Sequence, residues 1–257
     1  MVSWLRSFVE TGTSWLLGTF RRRLRSGSLP SPLYVNLGSA YRAPAGWLNL
    51  DRTINVLIAR IPGVPIALYR LGLLGPEQYD RFRQRLWDRA RYWDARYPIP
   101  VSDGAVSAIY SSHLLEHLDR GVAQNLFSDC YRALKSGGVL RVVVPDMYLI
   151  SKSYVSIVDR LADKQLEPTD RVDFLAATIP ASDVSSAAAA EYYDPDPRRQ
   201  RLFGHRWMYD RWSIRAALER AGFRQIQECS YRQGATPDLD QLDCRPANSL
   251  HIEAIKA

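Results

Sequence analysis

The chain reads as an α/β protein built on a mainly parallel sheet with helices on both faces. Two observations predict this. From Tyr34 onward, segments of strand type and of helix type alternate along the 257 residues, as they do when parallel strands are joined by covering helices. In addition, "VLRVVVPD" (139–146) is a continuous β-branched run, the composition of a strand buried on both faces rather than one.

The elements follow in order. "LYVNLG" (33–38) is a short apolar run ending in glycine, "GWLNLD" (46–51) a second ending in an acid, and "AVSAIYSS" (105–112) a third. "RGVAQNLFSDCYRALKSGG" (120–138) is read as a helix with Val122, Leu126, Cys130 and Leu134 on one stripe and Gly137–Gly138 as its stop. "DRWSIRAALERAGF" (210–223) predicts an amphipathic helix with Trp212, Ile214, Ala217, Leu218 and Ala221 on its apolar side. "RQIQECSY" and "NSLHIEAIK" are expected to close the sheet.

Two stretches break the alternation. Residues 52–93 include "EQYDRFRQRLWDRARYW", where Tyr79, Phe82, Leu86 and Trp93 suggest a helical face among many arginines. Residues 151–203 hold a helical start, the small-residue run "ASDVSSAAAAE" and "YYDPDPRRQ". Long insertions at the carboxyl ends of strands commonly form lids or substrate walls.

Composition bounds the function only loosely. A hydrophobic fraction of 46% and a charged fraction of 24% are those of a globular protein. The net charge of +7 comes mostly from arginine; it permits a nucleic acid, an anionic lipid or an acidic substrate and singles out none. Three scattered cysteines, Cys130, Cys229 and Cys244, form no C-x-x-C pair, which fits a reducing compartment and a cytoplasmic location. The N-terminal arm, residues 1–29, sets Trp4, Leu5, Phe8, Trp15, Leu16 and Phe20 at roughly helical spacing ahead of Arg21, Arg22, Arg23 and Arg25. It is read either as a helix packed on the main body or as a basic segment lying on the inner membrane face.

The most ambiguous stretch is "SSHLLEHL" (111–118). His113, Glu116 and His117 spell H-x-x-E-H, the pattern of the inverted zinc peptidases. The same residues also follow a strand and open a helix, where an α/β fold places a substrate or cofactor. The zinc reading needs both histidines on one helical face plus a third ligand, for which His205 and His251 are the remaining imidazoles.

Taken in order, "YVNLGSAYRAPAGWLNLD", "YWDARYPIPVSDGAVSAIYSSHLLEHL", "LKSGGVLRVVVPD" and "HRWMYDRWSIRAALERAGF" resemble the class I S-adenosylmethionine-dependent methyltransferases, in particular methyltransferase type 11. The resemblance covers residues 33–257 and omits the arm. It implies a Rossmann-like class I fold with an antiparallel closing strand, a domain over 30–257 carrying the two insertions, and S-adenosyl-L-methionine as cofactor. It further implies that Gly38 and Ser39 meet the methionine part, that Asp51 accepts the ribose hydroxyls, and that Asp94 and the Ala95 amide meet the adenine edge. Ser111, Ser112 and His113 then leave the fourth strand beside the sulfonium.

On this reading "SHLLEHL" needs no metal, and none is expected. His113 is the first candidate base, with His205 entering from the late loop and Trp207 and Tyr209 walling the acceptor. The resemblance suggests a glycan or other small polar hydroxyl as acceptor. Nucleic acid competes on charge alone, but the arginines are spread along the chain.

Two departures from the family stand out. Gly38-Ser39-Ala40 replaces a G-x-G, and only nine residues, "SAYRAPAGW", join the first two strand segments. A helical crossover needs a dozen or more. The connection is therefore an abbreviated loop, or the second strand lies elsewhere. A degenerate fold acting as a non-catalytic binding or scaffold module is the alternative this raises.

Overall fold

A computed structural model describes residues 32–162, 205–246 and 248–257. The arm and most of the 151–203 insertion lie outside the described residues.

Seven strands form one sheet in the order β3-β2-β1-β4-β5-β7-β6. They are β1 (Leu33–Leu37), β2 (Trp47–Asp51), β3 (Ala90–Tyr92), β4 (Val106–Ser112), β5 (Leu134–Pro145), β6 (Gln225–Cys229) and β7 (Ser249–Ile255). The first five run parallel, and β7 is antiparallel to both of its neighbours. The helices are α1 (Asn55–Ile58), α2 (Val64–Arg70), α3 (Pro76–Arg83), α4 (Arg120–Ala133), α5 (Met147–Ala162), α6 (Arg211–Arg220) and α7 (Leu239–Leu242), with a 3₁₀ turn over Leu115–His117. No described helix is long and apolar enough to cross a membrane.

The second strand is where the sequence placed it, and its link to β1 is a loop without a helix. Polar side chains do the work that helix packing usually does. Asn36 and Asn49 are register partners on β1 and β2 and almost fully buried. Asn36 Nδ2 donates to Arg42 O (3.1 Å) and Asn49 Oδ1 (3.0 Å), while Asn49 Nδ2 donates to Pro44 O (3.0 Å). The amides of Gly38 and Ser39 both donate to Leu50 O. Buried amides satisfied in this way fix the loop's path.

One face of the sheet carries the main core. There Leu33, Val35, Leu37, Ile109, Leu140 and Val142 meet Leu126 and Phe127 of α4 and Ile214 and Leu218 of α6. The buried stripe of α4 is Ala123, Leu126, Phe127 and Cys130, turned slightly from the one expected. Helix α6 starts at a capping box between Asp210 and Ser213. It buries Ile214, Ala217 and Leu218, but Trp212 points outward and is 62% exposed.

Gly137–Gly138 does not stop α4. The helix ends at Ala133 and β5 begins at once, with Gly138 inside the strand. A Cβ there would sit 2.9 Å from Lys135 O and 3.1 Å from Val106 O. Glycine is needed for close backbone approach at a wide irregularity, where Val106 pairs with Leu134 and Ala108 with Val139.

The 52–93 stretch is also shorter as an insertion than expected, since its last residues form β3. Helix α3 stops before Arg85, whose φ of +57° no helix continues through. Trp93 is buried after β3 instead of lying on a helix face, and its amide donates to Asp51 O at 2.9 Å.

Candidate active site

Because β1 to β5 are parallel, their carboxyl ends share one edge of the sheet. The strand order reverses between β1 and β4, and in open α/β sheets ligands bind at that crevice. The residues there are the Gly38–Ala40 turn, Asp51, the segment after β3, and Ser111 to Leu114.

Gly38 has φ +70° and Ala40 has φ +46°. Both occupy the left-handed region, which only glycine enters without cost. Ala40, which stands where a second glycine was expected, takes this conformation with a methyl group attached. Ala40 packs that methyl near Val56, Trp87 and Ala90. At Gly38 a Cβ would stand 3.1 Å from Leu114 Cβ, so the glycine is required by the residue following His113, whatever else lies in the crevice.

Asp51 is buried, and both of its oxygens are used. Oδ2 accepts the Ala40 amide at 2.7 Å and Oδ1 the Thr53 amide at 2.7 Å. A carboxylate oxygen has two lone pairs, so each keeps one. Asp94 is more firmly engaged. The Arg96 side chain donates to both oxygens, at 2.6 Å at its shortest, and the Arg96 amide donates to Oδ1 at 3.0 Å. Burial alone would raise the Asp94 carboxyl, but the Arg96 bonds and the nearby Arg52 guanidinium hold it below the ordinary carboxylate range. The expectation that Asp94 meets an adenine amine therefore meets a competitor the sequence reading missed, two residues away in "WDAR".

Ser39 is buried and its hydroxyl lies 3.4 Å from Ala40 O. Ala95 is buried beside Asp94. Ser111 is buried, and its hydroxyl has no hydrogen-bond partner among the described residues. Ser112 pairs with Val143 at the last rung of the β4–β5 ladder.

His113 ends β4. Its amide still donates to Val143 O at 2.9 Å, but its φ of +49° turns the chain out of the sheet. Its side chain is 18% exposed, with Nδ1 3.2 Å from Glu116 Oε1 and Nε2 3.2 Å from Ser249 Oγ. Glu116 is completely buried. Its burial alone would raise the carboxyl, but the hydrogen bond and charge of His113, with His117 nearby, hold it below its ordinary value. The Glu116 contact was legible as i,i+3 spacing, whereas Ser249 comes from β7, 136 residues away.

The H-x-x-E-H peptidase arrangement is absent. It needs its two histidines on one helical face, whereas His113 belongs to the strand end and helical structure is limited to Leu115–His117.

The late loop docks against Glu116 and Asp119. The amides of Arg206 and Trp207 donate to Glu116 O at 2.6 and 3.3 Å, and the Arg206 guanidinium takes both oxygens of Asp119. His205 is thereby placed beside His117, ring centroids 5.0 Å apart. Burial lowers the His205 imidazole below its ordinary value. Trp207 lies under the Arg120 guanidinium at 4.7 Å. Together with Tyr209, Gln124 and Arg220, these two residues line a groove between the first half of α4 and the length of α6.

Residues 74–142 match the family model of the methyltransferase domain, and the sheet, with its single antiparallel strand β7 entered between β5 and β6, has the class I strand order. The chain has the class I methyltransferase fold. The match begins after β2, so the Gly38 turn lies outside it. No curated protein matches the chain.

The domain is also similar to solved structures at low identity. A SAM-dependent methyltransferase from Archaeoglobus fulgidus is 12% identical, with 98% of this chain and 94% of that one covered and a TM-score of 0.44. A possible histamine N-methyltransferase from Thermotoga maritima is 13% identical, with both chains fully covered and a TM-score of 0.40. Phosphoethanolamine N-methyltransferase 2 of Haemonchus contortus, in complex with S-adenosyl-L-methionine, is 14% identical over 98% of this chain and 59% of its own, with a TM-score of 0.43. The assignment rests on the strand order and the family match.

Proposed function

We propose that the methyltransferase domain binds S-adenosylmethionine across the carboxyl ends of β1, β2 and β4 and methylates a hydroxyl of a sugar or similar polar acceptor. The observation that carries this reading is the coincidence of the β1/β4 switch point with the left-handed Gly38–Ala40 turn. The residues present fit the cofactor at several points. The Ser111 hydroxyl is buried with no hydrogen-bond partner among the described residues, and Asp51 keeps a lone pair on each oxygen.

S-adenosylmethionine supplies an electrophilic methyl group: a C–O bond forms as the C–S bond breaks, and the acceptor hydroxyl loses its proton. His113 is suited to take that proton. With Nδ1 protonated and directed at Glu116, its Nε2 lone pair faces Ser249 Oγ, from which an acceptor hydroxyl would displace it. Glu116 acts through His113 by orienting the ring. The groove of Arg120, Gln124, Trp207 and Arg220 offers hydrogen-bond donors beside an aromatic face, a combination that suits a sugar or an anionic glycan.

A second reading is a degenerate domain that serves as a binding or scaffold module. Specific observations favour it: Ala40 in place of glycine, no helix after β1, and Asp94 held by Arg96. Calorimetry with S-adenosylmethionine and with its demethylated product decides between them. Saturable heat supports the enzyme, and none at millimolar ligand with a folded protein supports the scaffold.

A further inference from the structure

We propose that Glu116, His117 and His205 form a binding site for a divalent transition-metal ion of the zinc type. The ligating atoms of these three side chains all lie within 4.8 Å of one another. Ligands held at about 2.0–2.1 Å by a tetrahedral zinc are roughly 3.4 Å apart, so each atom need move by less than about an ångström to close on an ion.

An independent observation points to a ligand at this spot. Glu116 is completely buried, yet its Oε2 has no hydrogen-bond partner on another described residue, and His205 Nδ1 is also buried without one. Buried polar atoms are nearly always paired, because leaving one unpaired costs its full desolvation. Unpaired polar atoms on two members of one such cluster are what a cation would satisfy.

The surrounding structure supports the site. His205 is not free to drift, because the next amide donates to Glu116 O and the Arg206 side chain clasps Asp119. Glu116 Oε1 lies 3.2 Å from His113 Nδ1, where the imidazole can serve as the outer partner that metal-bound carboxylates usually have. A donor set of two imidazoles and one carboxylate suits zinc and its neighbours and leaves a fourth position open. The site differs from the peptidase motif, since His113 stays outside it and the second imidazole comes from 88 residues downstream of His117. An ion here would pin the late loop to the end of β4 next to the proposed base.

The test uses the full chain, stripped with a chelator that is then removed, and does not involve the methyl donor. Titration with zinc chloride alone should show one equivalent bound, micromolar or tighter. His117→Ala and His205→Ala, each verified as folded by thermal melting, should each weaken it about tenfold or more, whereas Cys229→Ser and Cys244→Ser should not. Cobalt(II) in place of zinc should give visible absorption without a thiolate charge-transfer band. Folded protein that takes up no zinc at about 100 µM overturns the proposal. So does unchanged affinity in either histidine variant, or affinity that depends on the cysteines.

Discussion

The carboxylate of Asp51 accepts the backbone amide of Ala40 at 2.7 Å, so one side chain at the end of β2 holds the turn at the end of β1. The same carboxylate holds Thr53. The acid proposed to meet the ribose is thus also the staple of a crossover that has no helix. Its removal should register twice, in folding and in binding.

Asp51→Asn is expected to destabilise the fold by roughly 1.5–3 kcal/mol, because an amide donor would then face a backbone N–H and strand it. In a domain of this size each kcal/mol lowers Tm by about 2–4 °C. Affinity for S-adenosylmethionine should fall about 10- to 150-fold. Asp51→Ala should lose about as much as Asp51→Asn. Thermal melting and calorimetry on both variants check this, and an Asn variant equal to wild type in both would remove Asp51 from either role.

Gly38→Ala places a methyl 3.1 Å from Leu114 Cβ and forces alanine to φ +70°. The backbone part alone costs about 1–2 kcal/mol. Pairing it with Leu114→Ala in a double-mutant cycle should recover the steric part and leave the backbone part. Strict additivity of the two substitutions would show that Leu114 is not what requires the glycine.

The sheet was legible because its strands are short apolar runs with marked ends, and all the expected strand segments lie in it. Strand β3 was hidden, since "ARY" has three residues and two of them are polar or charged by composition. Gly137–Gly138 was misread because a glycine pair signals a helix stop as readily as a strand irregularity, and only contact with Val106 tells them apart. The edge residues Gly38, Asp51 and His113 could be placed by position along the chain. Their partners could not, since Leu114, Arg96 and Ser249 matter through three-dimensional contact. The clustering of Glu116 and His117 with His205 needed the loop to fold back before any spacing rule applied.

Asp94 gives a pH dependence with a definite sign. Its folded-state carboxyl titrates below the ordinary value through Arg96 and Arg52, against the opposing effect of burial. A depressed carboxylate contributes stability above the unfolded-state pKa of about 3.9, and that contribution is lost as pH falls toward the folded value. The wild type should therefore exceed Asp94→Asn in Tm at neutral pH, and the gap should narrow below about pH 4. A gap that stays constant from pH 7 to pH 3 would mean that the Arg96 pair adds nothing through charge.

Arg141 lies on β5 with no exposed side-chain surface, contacting Asp243 at 2.6 Å and Glu253 at 3.2 Å. Glu253 also accepts the amides of Ala235 and Thr236. This cluster anchors the 230–245 segment over the sheet. Arg141→Met leaves two buried carboxylates without their cation, so a loss of about 3–5 kcal/mol is expected. Measured in denaturant, the change should appear in the midpoint rather than the slope. A loss below about 1 kcal/mol would mean that water reaches the cluster in the folded state.

His113→Ala separates positioning from binding. A base held in place typically contributes about 10²–10⁴-fold to turnover. Its ring nitrogens meet Glu116 and Ser249. Turnover with an accepted glycan should fall by that range, while the dissociation constant for the methyl donor stays within about threefold, or 0.7 kcal/mol. Ser249→Ala should have a much smaller effect, because the serine only occupies the Nε2 position that the acceptor hydroxyl takes over. If His113→Ala turns over normally while His205→Ala does not, the proton goes to the late loop instead, and the strand-end histidine serves only to hold Glu116 in place.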